Sequence, residues 1–190
     1  MNILVLTNEY PNERYPKPDW TWVVPYFCRS WVEQGHRVVA INNAAAFPKI
    51  YYTIAKMFGG IIAAHFGVSK KGLDERAWSK EFVFNDKGVQ VYNLPMKKYK
   101  PGGNYREKQF YEQVEKIKAV LVENNFIPDV ITGHWVNPQL KLVYELGRQF
   151  RNAKTGFVFH GDYGQVNCKK FDVQRYLDGV GKIGFRNLLA

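Results

Sequence analysis

The chain is expected to fold as an α/β protein, a three-layer sandwich around a mostly parallel sheet, in one domain. Three observations predict this. Apolar runs that read as buried strands alternate with stretches of helical periodicity along the chain. The first run, Asn2-Ile3-Leu4-Val5-Leu6-Thr7, lacks the polar alternation of a half-exposed strand, so it reads as one covered on both faces. Finally, 190 residues at 46% hydrophobic content is one domain's length with enough apolar surface for a core.

The elements follow in order. After the first strand, residues 8–19 are polar with three prolines and read as a loop. Val23, Val24, Phe27, Trp31 and Val32 recur at helical spacing, with Pro25 in the first turn and Gly35 ending the helix. Arg37-Val38-Val39-Ala40-Ile41 is the second strand, completing a βαβ unit. Phe47, Ile50, Tyr51, Ile54, Phe58, Ile61, Ile62 and His65 then fall on one helical stripe, with Lys49, Thr53 and Lys56 opposite. Residues 81–84 and 89–92 read as strands around the turn Asn85-Asp86-Lys87-Gly88. A lysine-, proline- and glycine-rich loop leads to a long helix with Phe110, Val114, Ile117 and Leu121 inward and Glu112 paired to Lys116 outside. Residues 128–133 form a strand. Asn137-Pro138 caps a helix carrying Leu140, Tyr144 and Gly147 on one side. Residues 155–159 form another strand. A short helix over 172–177 and a last strand over 180–185 close the chain.

Charge is unevenly placed. Residues 47–108 hold 12 Lys/Arg and 5 Asp/Glu, a net of +7 out of +10 for the whole chain. Such a segment fits a polyanionic partner or a solvated lysine-rich face. No zinc-finger spacing or RNP-type aromatic motif is present, so no nucleic-acid partner is expected. Cys28 and Cys168 are too few for a disulfide framework and read as reduced, cytosolic thiols. No secretory signal and no run of eighteen apolar residues is found.

Ligands of an open parallel sheet sit outside the carboxyl ends of the strands. That rule selects three loops, at residues 7–20, 133–137 and 160–165. Their polar residues are Asn8, Glu9, Asp19, His134, Asn137, His160 and Asp162. Two histidines at the ends of two strands make a candidate reacting centre. No glycine follows the first strand closely, so G-x-G-x-x-G and Walker A loops are absent there, and a nucleotide-dependent oxidoreductase is disfavoured. Ser30 has no nucleophile elbow around it, and Cys28 reads as core. The histidines lack a third ligand at a standard spacing, so no metal and no cofactor is expected.

Four stretches carry a resemblance to a known family. They are Asn2-Ile3-Leu4-Val5-Leu6-Thr7 with Tyr10-Pro11; Glu33-Gln34-Gly35-His36-Arg37-Val38; Pro128-Asp129-Val130-Ile131-Thr132-Gly133-His134-Trp135; and Phe157-Val158-Phe159-His160-Gly161-Asp162. In order and spacing they resemble the N-terminal, acceptor-side domain of GT-B-fold, family 4 retaining glycosyltransferases. The last three are similar to that family's "rGHeV", "PDvIhaHw" and "vvtvHGsD" segments. Residues 47–108 are the least similar part.

The resemblance implies a Rossmann-like domain facing a second one across a cleft, the second binding most of a nucleotide-sugar donor. It implies His160 as the catalytic-site histidine beside the donor sugar, and Asp19, Trp20, His134, Asn137, Gly161 and Asp162 as substrate-binding residues. The implied partners are a nucleotide-sugar and a saccharide or lipid-linked acceptor, in bacterial surface polysaccharide or glycolipid synthesis. Two departures stand out. Pro18-Asp19-Trp20-Thr21-Trp22 replaces a glycine-rich loop, so stacking of Trp20 or Trp22 on a sugar replaces close approach of backbone amides to phosphate. The family's paired glutamates belong to a C-terminal domain that lies beyond the expected single domain, so the chain by itself is expected to be inactive. The alternative is a non-catalytic subunit that recruits a separate donor-binding chain. The stripe of residues 47–71, with Lys49, Lys56, Lys70 and Lys71, reads either as a helix packed on the sheet or as an interfacial helix meeting an anionic membrane, which would place the protein at the cytoplasmic face.

Overall fold

The computed structural model describes residues 1–11, 21–48, 50, 61, 79–99, 104–135 and 137–159. The described residues form an α/β unit. Its strands are β1 (Asn2–Thr7), β2 (Arg37–Asn42), β3 (Ala45–Ala46), β4 (Phe82–Asp86), β5 (Val89–Asn93), β6 (Met96–Lys97), β7 (Val130–His134) and β8 (Lys154–Val158). The helices are α1 (Val23–Glu33), α2 (Glu107–Glu123) and α3 (Gln139–Gln149).

Six strands make one sheet in the order β4-β5-β2-β1-β7-β8. All pairings are parallel except β4 with β5. That exception is the expected hairpin: Lys87 and Gly88 take φ of 50° and 91°, the mirror-image turn whose twist suits two adjacent strands. The Gly88 N–H donates to Asn85 Oδ1 at 3.0 Å and closes it. β3 and β6 pair in a separate two-stranded ribbon beyond β2 and β5.

β1 passes through α1 to β2 in one direction, whereas β7 passes through α3 to β8 in the other. Crossovers of one hand that step in opposite directions must lie on opposite faces. They do. Ile3, Val5, Val38, Ala40 and Val91 pack with Val24 and Cys28 of α1. Leu4, Leu6, Val39, Ile41 and Ile131 pack with Ile117 and Leu121 of α2 and Leu140 and Leu146 of α3. Odd and even positions of each strand thus feed two cores, which is why β1 had to be apolar throughout.

Several local expectations are corrected. The buried face of α1 is Val24, Pro25 and Cys28, while Phe27 stays 43% exposed and Val23 is exposed with it. Lys116 bonds Glu81 across to the strand segment rather than Glu112 on its own helix. Asn137 does not cap α3: Pro138 stands at the cap with no side-chain hydrogen bond, after a cis Asn137–Pro138 peptide. α3 buries more than one stripe, because Leu142, Val143 and Leu146 are covered along with Leu140. Gly133 explains the tight fit beneath it, since a Cβ there would lie 2.7 Å from the Phe157 ring and 2.8 Å from Val143 Cγ2. The proposed elements at 172–177 and 180–185, and most of the 47–65 stripe, lie outside the described residues.

Candidate functional site at the carboxyl edge of the sheet

The strand order reverses its direction of growth between β1 and β7, and a sheet opens a crevice at such a point. Along the carboxyl edge of the sheet, most residues that leave the strands are uncharged amides. Asn8 follows β1, Asn42 ends β2 and Asn43 follows it, Asn93 ends β5, and Gln139 opens α3, the helix after β7. Gln113 of α2 reaches the same level from the helix layer: its Nε2 donates to Asn43 Oδ1 at 2.7 Å and to the Leu94 carbonyl at 2.8 Å. Asn42 Nδ2 donates to Asn93 Oδ1 at 2.8 Å. Thr7, at the end of β1, accepts from the Glu9 N–H at 3.1 Å and turns the chain away from the sheet.

These amides are only partly satisfied. Asn42, Asn43, Gln113 and Gln139 are buried, yet Asn8 Oδ1, Asn42 Oδ1, Asn43 Nδ2 and both side-chain polar atoms of Gln139 have no hydrogen-bond partner among the described residues. A buried amide left without partners costs about 1–3 kcal/mol per group, so a row of them concentrated at one edge is not incidental to packing. Chemically the row offers donors and acceptors without charge, the set that matches hydroxyl groups. The backbone beside it is strained as well. Trp135 sits at φ 69°, a conformation that a bulky residue adopts at a cost of order 1–3 kcal/mol. It stands between His134 and the Asn137–Pro138 peptide that leads into Gln139.

Of the residues expected from sequence, Asn8, Glu9, His134 and Asn137 fall within the description. His134 is the last residue of β7, fully buried, paired in register with Val158 of β8. The Phe27 ring lies 5.9 Å from its imidazole. Asn137 is half-buried in the turn before α3. The structure therefore brings His134, Asn137 and Asn8 to the carboxyl edge that the sheet rule selected. Asp19, Trp20, His160, Gly161 and Asp162 lie outside the described residues. Trp22 is exposed at the start of α1, with the Arg29 guanidinium 5.4 Å from its ring centre.

A groove of about 530 Å³ runs along the α1 side of the sheet and reaches this edge at His134. Ile3, Phe27, Trp31, Thr132, His134 and Val158 are among its lining residues. The sequence reading missed Asn42, Asn43, Asn93, Gln113 and Gln139. A signal was available for the first three: an amide that terminates an apolar strand run marks the ligand edge as well as the turn. Among the described residues, no three His, Cys, Asp or Glu side chains converge. Comparison with protein-family models and with curated proteins finds no match.

Proposed function

We propose that this chain is the acceptor-side half of a retaining glycosyltransferase, moving a sugar from a nucleotide-sugar donor to a saccharide or lipid-linked acceptor. One observation carries the reading: the part-satisfied amides Asn8, Asn43 and Gln139 along the carboxyl edge of β1, β2 and β7, the last two of them buried. Neutral saccharides present many hydroxyls, and uncharged amides can both donate to and accept from them. The order of the four motif segments adds to this, and the strained Trp135 supplies an aromatic ring beside His134. In this reading His160 hydrogen-bonds the donor sugar at the reacting centre, and His134, Asn137, Asp19, Trp20, Gly161 and Asp162 contact substrates. A neutral imidazole can donate to a hydroxyl or to charge developing on the departing phosphate.

Two substitutions, made in the full-length protein, test the assignment. Gln139→Leu removes two unpaired buried polar atoms while keeping the volume. It should therefore raise stability by about 1–2 kcal/mol and lower sugar transfer. His160→Ala should lower the transfer rate about 100-fold with little change in melting temperature. Loss of stability in Gln139→Leu at unchanged transfer would assign Gln139 to the core and remove the reading's main support. Transfer that depends on a separately encoded donor-binding chain would favour the subunit alternative.

Peripheral contact with an anionic membrane through residues 47–71 belongs to the same proposal. Ile50 and Ile61, the two described residues of that stripe beyond Phe47, are helical and 69% and 72% exposed, which favours an outward apolar face over a packed one. Among the described residues no helix is long and apolar enough to cross a membrane.

A further inference from the structure

A second depression lies away from the β1/β7 crevice, beyond the carboxyl ends of β2 and β5. The β3–β6 ribbon builds it. The Met96 N–H donates to the Ala44 carbonyl at 2.8 Å and the Lys98 N–H to the Ala46 carbonyl at 2.7 Å, which fixes the backbone of Lys97 and Lys98 against β3. The cleft measures about 430 Å³, and its walls include Phe47, Ser79, Lys97, Lys98 and Tyr99, with Lys116 from α2.

Its charge is one-sided. Three lysines and one carboxylate, Glu81, line it, and that carboxylate is held by Lys116. No carboxylate among the described residues pairs with Lys97 or Lys98. Lys98 is half-buried, its ammonium 5.2 Å from the Tyr105 ring centre, and burial pulls its pKa below the ordinary lysine value. The Arg106 guanidinium rides 4.1 Å from the ring centre of Tyr99, bringing a fourth cation to the rim. A half-buried ammonium with no counter-charge is costly for folding alone and favourable once an anion arrives. Ammonium groups on flexible stems act as point charges for phosphate, and Tyr99 and Phe47 give the cleft aromatic walls.

We propose that this cleft binds a phosphate group, carried by a small molecule or by a lipid headgroup, through Lys97 and Lys98, with Lys116 released from Glu81 as a third contact. The inference concerns a site outside the β1/β7 crevice and does not rest on sugar transfer. It gives the basic segment of residues 47–108 a defined ligand.

The test is a titration of inorganic pyrophosphate into the ¹⁵N-labelled chain at constant ionic strength, followed by backbone amide shifts. Saturable shifts at Ala46, Lys97, Lys98 and Tyr99 are expected. Lys97→Gln and Lys98→Gln should each weaken binding about tenfold, as loss of one charge-assisted hydrogen bond does. Lys98→Arg should retain most of it, and Glu81→Gln should tighten it by freeing Lys116. Lys87→Gln, at the tip of the β4–β5 hairpin, should leave it unchanged. Vesicles of phosphatidylcholine with and without phosphatidic acid identify the source. Displacement of pyrophosphate by the acidic vesicles assigns the phosphate to a lipid, and pyrophosphate binding that ignores them assigns it to a soluble ligand. Absence of saturable shifts at these amides, or equal weakening by Lys87→Gln and Lys98→Gln, would overturn the site.

Discussion

Replacing Asp86 with alanine should lower the unfolding free energy by about 3–5 kcal/mol, a large part of the roughly 5–15 kcal/mol that holds a domain of this size together. Asp86 ends β4 and receives three hydrogen bonds. Arg29 donates from Nη2 to Oδ1 at 2.7 Å and from Nε to Oδ2 at 3.0 Å, and the Tyr10 hydroxyl donates to Oδ2 at 2.8 Å. The two charged side chains are only 16% and 14% exposed, so water cannot replace the carboxylate. The pair ties α1 to the hairpin, and Tyr10 ties the loop after β1 to both. Without Asp86 a largely covered guanidinium and a buried phenol lose their shared acceptor. Replacing the pair together, Asp86→Leu with Arg29→Met, should recover much of the loss, because an apolar pair leaves no orphaned charge. Urea unfolding of the three proteins measures this. A loss under 1 kcal/mol in Asp86→Ala would show that the bidentate pair is solvated in practice.

Stability should also fall steeply above about pH 9, reaching a slope of roughly 4 kcal/mol per pH unit near pH 11. Three groups cause it. Burial, reinforced by the Asp86 carboxylate, pushes the Cys28 thiol well above its ordinary value of 9.0. Burial, then the neighbouring Cys28 and Asp86, raises the Tyr10 hydroxyl far above 10.0. Burial pushes Tyr105 up to about 12. Each group keeps its proton in the native state while the unfolded chain loses it, so the native state binds more protons in the window between the two values. Stability therefore declines as pH rises, by about 1.4 kcal/mol per unit for each group fully in its window. Below pH 9 the three groups are protonated in both states and contribute no slope. Lys98 acts in the opposite sense below 10.5, because there the unfolded chain binds the extra proton. Urea midpoints at pH 8, 9.5 and 11 test the prediction, and Cys28→Ala should remove the earliest part of the decline alone. A midpoint constant from pH 8 to 11 would contradict it.

The sheet was legible because its strands are apolar on both faces. Asn2 to Thr7 could be read as a doubly covered strand, and Ile3 to Thr7 are buried on both faces. The hairpin was legible from Lys87-Gly88, whose backbone demands a residue tolerant of positive φ. The β3–β6 ribbon was not, since two residues per strand carry no periodicity. Phe27 shows a subtler limit. Helical spacing assigns it to an apolar stripe, but spacing does not say whether a neighbouring layer reaches that far. Lys116 shows another, since its partner on β4's approach is distant in sequence and the helical neighbour Glu112 is the more obvious choice. For the site, the sheet rule selected the carboxyl edge and picked out Asn8, His134 and Asn137, which the structure places there. It passed over Gln139 because an amide at a helix start is ordinary in sequence; only its burial without partners makes it informative.

We propose that the carboxyl edge at β1 and β7 recognises saccharide hydroxyls. Backbone amide shift mapping of the ¹⁵N-labelled chain with a panel of methyl glycosides of glucose, galactose, mannose and N-acetylglucosamine tests it most directly. The account predicts saturable shifts at Asn8, Asn43, Trp135 and Gln139 with at least one glycoside, and their loss in Gln139→Leu. Shifts confined to the Lys97–Lys98 cleft, or none at the β1/β7 edge with any member of the panel, would contradict it.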